Sequence, residues 1–194
     1  MRISRVMLSS ALLAVAACGG ADGPCDLAAQ TGCDDGLVCE PVEGGEPACF
    51  APVVIRGRVF DLEDDGAIQR ARVVALDVNG APASSVAESD GDGDYTLIIP
   101  SARGADGLPI GVDVTLRADA AGYQSFPGGI RVALPIDTGA AVPDDDGGYA
   151  VDSVQGELGL LALPAGAGTA TLRGRVAMPA DGGGVLVVAE TSSG

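Results

Sequence analysis

Short runs of alternating apolar and polar residues, separated by turn residues, dominate the chain after residue 50. In the clearest run, Ile110, Val112, Val114 and Leu116 share one parity, and most residues of the other parity are polar. A period of two is typical of a strand with one buried face. We predict strands at residues 53–60, 70–78, 84–88, 95–99, 110–118, 130–134 and 158–162. No stretch beyond residue 18 has a helical period, so the pattern predicts an all-β, antiparallel seven-stranded β-sandwich.

A charged start and a short apolar run mark the first eighteen residues. Arg2 and Arg5 precede an apolar run over residues 6–17, which is too short to span a bilayer and is typical of an export signal. The sequence VAAC at residues 15–18 resembles the lipobox of bacterial lipoproteins. The resemblance implies a signal peptide over residues 1–17 and lipidation of Cys18, with palmitate among the acyl chains. The alternative is an ordinary signal peptide, with Cys18 incidental.

The expected location follows from the anchor. Two or more acyl chains hold a protein stably at a membrane, whereas one chain gives only marginal binding. Gly19 follows Cys18 in place of the Asp that marks inner-membrane retention in enteric bacteria. We therefore expect a lipid-anchored protein of the cell envelope, at the outer membrane or the cell surface, with the bilayer as its first partner.

Four cysteines lie within residues 25–50, after a tether at residues 18–24. Cys25, Cys33, Cys39 and Cys49 are separated by seven, five and nine residues. In an exported chain this density predicts a small disulfide-rich segment with two disulfides, which would act as a stiff spacer. Three pairings are open, of which we favour Cys25–Cys39 with Cys33–Cys49. The alternative is a zinc site with four thiolate ligands, but zinc sites favour CxxC pairs, which the segment lacks.

A series of short motifs follows in residues 53–163. It consists of IRGRV at 55–59, an acidic turn, ARV at 71–73, SDGDGDY at 89–95 and AGY at 121–123. This order resembles the carboxypeptidase regulatory-like domain and implies a transthyretin-like (prealbumin-like) sandwich without peptidase activity. The chain departs from the family at Ser89, where the family has Thr, at Arg70, where it has Gly, and in an insert at residues 101–109.

The end of the chain repeats part of this domain. The sequence TLRGRV at 171–176 echoes VIRGRV at 54–59, and DG at 181–182 echoes DG at 65–66. We predict a linker at residues 164–169 and the start of a second, truncated β-sandwich repeat at residues 170–194. Two strands cannot bury a face alone, so we favour a fragment of a longer tandem array over pairing of this tail with the first domain.

Composition narrows the chemistry. The net charge is −16, and such a surface repels phosphate backbones, which excludes nucleic acid as a partner. The chain contains no His and no Lys, so Ser–His–Asp catalysis, His-ligated zinc and Schiff bases are excluded. We therefore expect no enzyme activity, no catalytic residue and no cofactor.

Acidic residues leave one metal hypothesis open. Asp90, Asp92 and Asp94 alternate as in the first half of a calcium loop, but Tyr95 and Ser101 replace the Gly and Glu of the EF-hand pattern. The favoured interpretation is a hairpin turn, and calcium is the weaker one. The expected function is a structural, adhesive or interaction module. A carbohydrate-binding module or a calcium-stabilised surface repeat is the alternative, with a surface protein or a glycan as partner.

Overall fold

The computed structural model describes residues 25–145, 147–164, 166 and 173–175. Its elements are, in chain order, β1 (Val38–Glu40), β2 (Ala48–Phe50), β3 (Val53–Asp61), β4 (Arg72–Leu76), β5 (Ala87–Glu88), β6 (Asp94–Ile99), β7 (Ala102–Arg103), β8 (Pro109–Ile110), β9 (Asp113–Asp119), β10 (Ile136–Asp137), the 3₁₀ turn η1 (Thr138–Ala140), β11 (Val142–Pro143), β12 (Tyr149–Asp152), the 3₁₀ turn η2 (Val154–Gly156) and β13 (Leu158–Leu160). The described residues contain no α-helix, which confirms the all-β prediction. Nor do they contain a helix long and apolar enough to cross a bilayer.

The strand β3 lies at the centre of the larger, five-stranded sheet. It pairs antiparallel with β6 on one side. On its other side it pairs parallel with β12 over its first four residues and with β13 over its last three. The predicted sheet was wholly antiparallel. The parallel pairs arise because the end of the domain returns along the open edge of β3 in the same direction as β3 itself.

The second sheet contains four strands in the order β10-β9-β4-β5. The strand β4 carries the apolar run Val73–Ala75, which is buried, and pairs antiparallel with β9 over five residues. The short strand β5 closes one edge, as predicted for residues 84–88. Six of the seven predicted strands are thus present, as β3, β4, β5, β6, β9 and β13.

The core between the sheets consists of small aliphatic side chains, as the near absence of aromatic residues requires. Its fully buried members come from both sheets and include Ile55, Val59, Leu97, Leu116 and Leu158. Each such side chain contributes about 1.5–3 kcal/mol when it leaves water. The sandwich and its preceding disulfide-rich segment therefore agree with the predicted fold class.

Tyr95, a buried residue of β6, holds the turn η2 in place between β12 and β13. The hydroxyl of Tyr95 donates to the carbonyl oxygen of Gly156 at 2.8 Å. Gly156 ends η2, which interrupts the edge between β12 and β13 directly beside Gly57. A Cβ on Gly57 would lie 2.1 Å from the carbonyl oxygen of Gly156, so only glycine allows this approach. Burial raises the pKa of Tyr95 far above its ordinary value, so the hydroxyl stays a donor.

The strand predicted at residues 130–134 is wrong. Ile130, Val132 and Leu134 are 100%, 71% and 58% exposed and belong to no strand. Phe126 bridges one end of the free edge of β9, at Ala118, and Ile136 pairs near the other end, at Val114. Only three residues of β9 lie between these two positions, so the nine residues between Phe126 and Ile136 are too many to run along the edge and leave the sheet as a loop.

The strand predicted at 110–118 begins later than expected. The strand β9 starts at Asp113, and Ile110 belongs instead to the hairpin β7–β8. Val112 is 46% exposed, and its backbone pairs with Thr138 rather than with a sheet neighbour. The parity of this segment is correct only from Val114 onwards.

Several sequence predictions fall on residues that are not described. The signal peptide at 1–17, the lipidated Cys18 and the tether at 18–24 lie outside the described ranges. So do most of the linker at 164–169 and of the second repeat at 170–194. Lipidation and repetition therefore stay predictions.

We predict that Tyr95→Phe lowers the free energy of unfolding by about 1–3 kcal/mol, because the buried carbonyl of Gly156 loses its partner. Tyr123→Phe is the matched control, since its hydroxyl donates to Asp61 in a more exposed setting and its loss leaves an oxygen that water can reach. Urea unfolding measures both changes. Equal losses in the two variants would contradict the role assigned to Tyr95.

Candidate functional site

The disulfide-rich segment at residues 25–50, here called the cap, is built on the hairpin β1–β2. The structure joins Cys25 to Cys39 and Cys33 to Cys49, which is the favoured pairing. Cys39 and Cys49 lie directly opposite each other in the hairpin. Cys25 and Cys39 are buried, at 6% and 3% exposure. Two cross-links thus tie the loop before β1 to both strands.

Polar side chains complete the cap. The amide of Gln30 bonds both backbone groups of Cys39, accepting from its N–H and donating to its carbonyl, each at 3.0 Å. The carboxylate of Asp26 accepts from the N–H groups of Ala28 and Ala29, each at 2.9 Å. These bonds replace the apolar core that a segment of this length is too small to form.

The cap docks on the sandwich through a buried ion pair. Nε of Arg103 lies 2.5 Å from Oε2 of Glu40, and the two side chains are 1% and 2% exposed. The other carboxylate oxygen of Glu40 accepts from the N–H of Ser101 at 2.9 Å. Nη2 of Arg103 donates to the carbonyl of Ala51 at 2.8 Å. Burial raises the pKa of Glu40, while Arg103 and the Ser101 amide act in the opposite direction.

Arg103 also joins two aromatic rings. Its guanidinium carbon lies 4.7 Å from the ring centre of Phe50, in β2, and 5.5 Å from that of Tyr149, in β12. Such contacts add attraction between a cation and the ring faces. Its backbone pairs with the cap as well, donating to Pro41 and accepting from Glu43, each at 2.8 Å. One residue therefore links the cap to the larger sheet.

The docking element is the insert at residues 101–109, the feature that departs from the regulatory-like pattern. It forms the hairpin β7–β8, and β7 lies against the cap. Sequence reasoning treated the cap as a spacer and found neither Glu40 nor Arg103. The available signal was the insert itself, which carries an isolated Arg between two small residues.

The acidic candidates form a turn. Oδ1 of Asp90 accepts from the N–H groups of Asp92 and Asp94, at 2.9 and 3.0 Å. The adjacent Ser89 accepts from the N–H of Ala71 and donates to the carbonyl of Ile68. This is the arrangement expected of a hairpin turn, which is the interpretation favoured from the sequence.

An open groove of about 620 Å³ runs beside β3 and η2. Its lining carries mixed charge, with Arg56 among Asp94, Asp152 and Glu157. Nη2 of Arg56 donates to the carboxylate of Asp144 at 2.8 Å, so the acidic run at 144–146 is tied to the sheet through its first member. The groove brings opposite charges together instead of presenting one sign.

The three tyrosines each have a partner within the fold. Tyr95 is 4% exposed, and the ring of Tyr149 faces the guanidinium of Arg103. The hydroxyl of Tyr123 donates to Asp61 at 3.0 Å, which raises the pKa of Tyr123. Tyr95 is thus buried, while the other two tyrosines are partly buried and are held by Arg103 and Asp61.

In the part of the chain that the structure describes, one group of at least three cysteine or acidic ligand atoms lies within 4.8 Å of one another. It consists of the sulfurs of Cys25, Cys33 and Cys39. All three sulfurs are in disulfides, so none is available as a thiolate in this state.

No family model and no curated protein matches the chain. Similar solved structures include 3-chlorocatechol 1,2-dioxygenase from Rhodococcus opacus 1CP, at 10% identity, a TM-score of 0.36 and coverage of 57% of this chain and 60% of the dioxygenase. A mutant of catechol 1,2-dioxygenase from Acinetobacter radioresistens has 14% identity, a TM-score of 0.35 and coverage of 63% of this chain and 56% of the dioxygenase.

A variant of the major pilin subunit of Bacillus cereus has 16% identity, a TM-score of 0.31 and coverage of 59% of this chain and 32% of the pilin. The chain therefore spans less than two thirds of the length of each of these proteins. At such scores the likenesses carry nothing about activity, and the fold class rests on the strands and sheets described above.

We predict that Glu40→Gln or Arg103→Met lowers the free energy of unfolding by about 3–5 kcal/mol, because each leaves its partner's charge or donors buried without compensation. Arg72→Met is the matched control, since Arg72 pairs with Glu88 on the surface and its loss costs about 1 kcal/mol or less. Chemical denaturation measures the three variants. The double variant Glu40→Gln with Arg103→Met is expected to lose less than the sum of the two single changes, and additive losses would contradict direct coupling.

Proposed function

We propose that the chain is a cell-envelope lipoprotein, held to a membrane by acyl chains on Cys18, whose β-sandwich is a non-catalytic structural or adhesive module. The export signal and the VAAC sequence support the anchor. The missing His and Lys support a role without catalysis. The three tyrosines in structural contacts favour this role over carbohydrate binding.

The docked cap is the observation that carries the proposal. Its first cysteine, Cys25, follows the proposed tether at residues 18–24, and Glu40 and Arg103 fasten the cap to the sandwich. A tether of this length spans at most about 25 Å when fully extended. A lipid on Cys18 would therefore hold the sandwich within one short tether of the bilayer, and the cap would transmit force from the anchor to β12 through Arg103.

The negative net charge of the chain supports a module that stays away from the membrane surface. The net charge of −16 makes contact with anionic headgroups unfavourable, so the lipid and the tether would oppose a repulsion that keeps the module in solvent. This combination suits a module presented to a partner outside the membrane.

The second repeat extends the same proposal. Gly174 occupies the position in Arg-Gly-Arg-Val that Gly57 has in β3. In β3 the glycine is required, because a Cβ on Gly57 would meet Gly156 and Tyr95. A second sandwich would require Gly174 for the same reason, so the repeated motif supports a tandem, stalk-like arrangement.

We predict that Cys18→Ala abolishes palmitate labelling, while the melting temperature of the sandwich stays unchanged. Metabolic labelling and thermal unfolding test the two parts. Labelling that persists in the variant would contradict the anchor.

We also predict that the cap and the sandwich tumble as one body. ¹⁵N relaxation of the Cys18→Ala protein should give one rotational correlation time for residues of β1–β2 and of β3. The additional change Arg103→Met should shorten the rotational correlation time of the cap residues and leave that of β3 unchanged. Different correlation times for the cap and β3 in the protein with an intact Glu40–Arg103 pair would contradict a rigidly docked cap.

A further inference from the structure

The sulfurs of the cap are gathered more closely than two separate cross-links require. Those of Cys25, Cys33 and Cys39 lie within 4.8 Å of one another, although they belong to two different disulfides. The fourth sulfur, of Cys49, is bonded to that of Cys33. Four thiolates around a tetrahedral zinc ion, each about 2.3 Å from the metal, lie about 3.8 Å apart. Three of the four sulfurs are therefore already gathered within 4.8 Å, a span comparable to that of such a site, and the fourth is bonded to one of them.

Two of the four cysteines are positioned by contacts other than disulfides. Cys39 and Cys49 are opposite each other in β1–β2, and the Gln30 amide brackets the backbone of Cys39. The residue after each cysteine is anchored on the sandwich. Glu40 is paired with Arg103, and Phe50 lies beneath the Arg103 guanidinium. None of these contacts is made by a disulfide.

The other two cysteines lie on one loop that crosses this pair. Cys25 and Cys33 flank a turn closed by the bridge between Asp26 and Thr31, in which the N–H of Asp26 donates to the carbonyl of Thr31 at 2.9 Å. The loop thus places the sulfurs of Cys25 and Cys33 beside those of Cys39 and Cys49, which the hairpin β1–β2 holds opposite each other. The sequence lacks the CxxC spacing that normally gathers zinc ligands, but here the cross-strand register does so.

We propose that the cap, once both disulfides are reduced, is a zinc site formed by Cys25, Cys33, Cys39 and Cys49. Each disulfide takes two electrons and two protons from a dithiol reductant, which closes to its own disulfide. Binding of one Zn²⁺ then displaces the four thiol protons into solvent and forms four Zn–S bonds. The reverse change needs a two-electron oxidant for each disulfide and releases the ion. This site is independent of the proposed anchoring function.

The chain suits a direct test because it contains no His. Thiolates are its only soft ligands of that strength, so the spectrum of bound Co²⁺ reports on cysteine alone. The full chain with Cys18→Ala, which leaves the four cap cysteines, is reduced with a dithiol, freed of the reductant and titrated with Co²⁺. We expect one Co²⁺ per chain, with sulfur-to-metal charge-transfer bands and the visible bands of tetrahedral coordination, all lost on addition of Zn²⁺. The oxidised protein should show neither set of bands.

Three comparisons make the result decisive. Replacing both Cys39 and Cys49 with Ser should weaken Co²⁺ binding at least about a hundredfold, whereas Asp90→Asn, a change outside the cap, should leave it unchanged. Amide exchange should show the β1–β2 ladder equally protected in the zinc-loaded and the oxidised protein. Absent tetrahedral bands, bands that survive Cys39→Ser with Cys49→Ser, or loss of ladder protection in the zinc-loaded chain would overturn the proposal. The last result would mean chelation by an unfolded segment.

Discussion

The buried contact between Glu40 and Arg103 joins three parts of the chain that are remote in sequence. The two residues are 63 positions apart, and the guanidinium also lies against Phe50 of the cap and Tyr149 of the larger sheet. Both charges are removed from water, so the contact is tolerable only because the remaining carboxylate oxygen and a second guanidinium nitrogen also find partners. This requirement makes the cap, the insert and β12 one structural unit.

A second constraint acts within the sandwich. The parallel return of β12 and β13 along β3 leaves room for η2 only where β3 has no side chain, at Gly57. Tyr95 then bonds the carbonyl that faces this glycine. The glycine of the Arg-Gly-Arg-Val motif is thus required by the packing of β3 against η2. The recurrence of the motif at residues 173–176 is the reason for proposing a second sandwich there.

Local patterns predicted local structure well. The strands predicted at residues 53–60 and 95–99 are present as β3 and β6. The cysteine pairing was also favoured correctly. Alternation does not say whether a partner edge is free, however. Residues 130–134 have the pattern of a strand, but Phe126 and Ile136 already occupy the edge that they would need.

The candidate site was beyond such patterns. Charged residues are almost never fully buried unless they are paired, so an isolated Glu or Arg in a sequence is predicted to lie at the surface. Glu40 and Arg103 are buried because the tertiary fold pairs them, and their spacing in the sequence does not show this. Similarly, the alternating Asp residues at 90–94 fit a cation-binding loop and a hairpin turn equally well, so the sequence does not distinguish the two. The backbone bonds of Asp90 are visible only in three dimensions.

The order of residues in the Glu40–Arg103 contact has a consequence for biogenesis. If the chain is exported amino terminus first, as proposed, the cap would arrive before its docking partner, and Glu40 would stay hydrated until residue 103 and the strands around it had crossed. The cap cysteines could then be cross-linked before a sandwich was present to dock on. The contact of Glu40 with Arg103 would close last, and with 63 positions between its partners it is of the long-range kind that forms slowly.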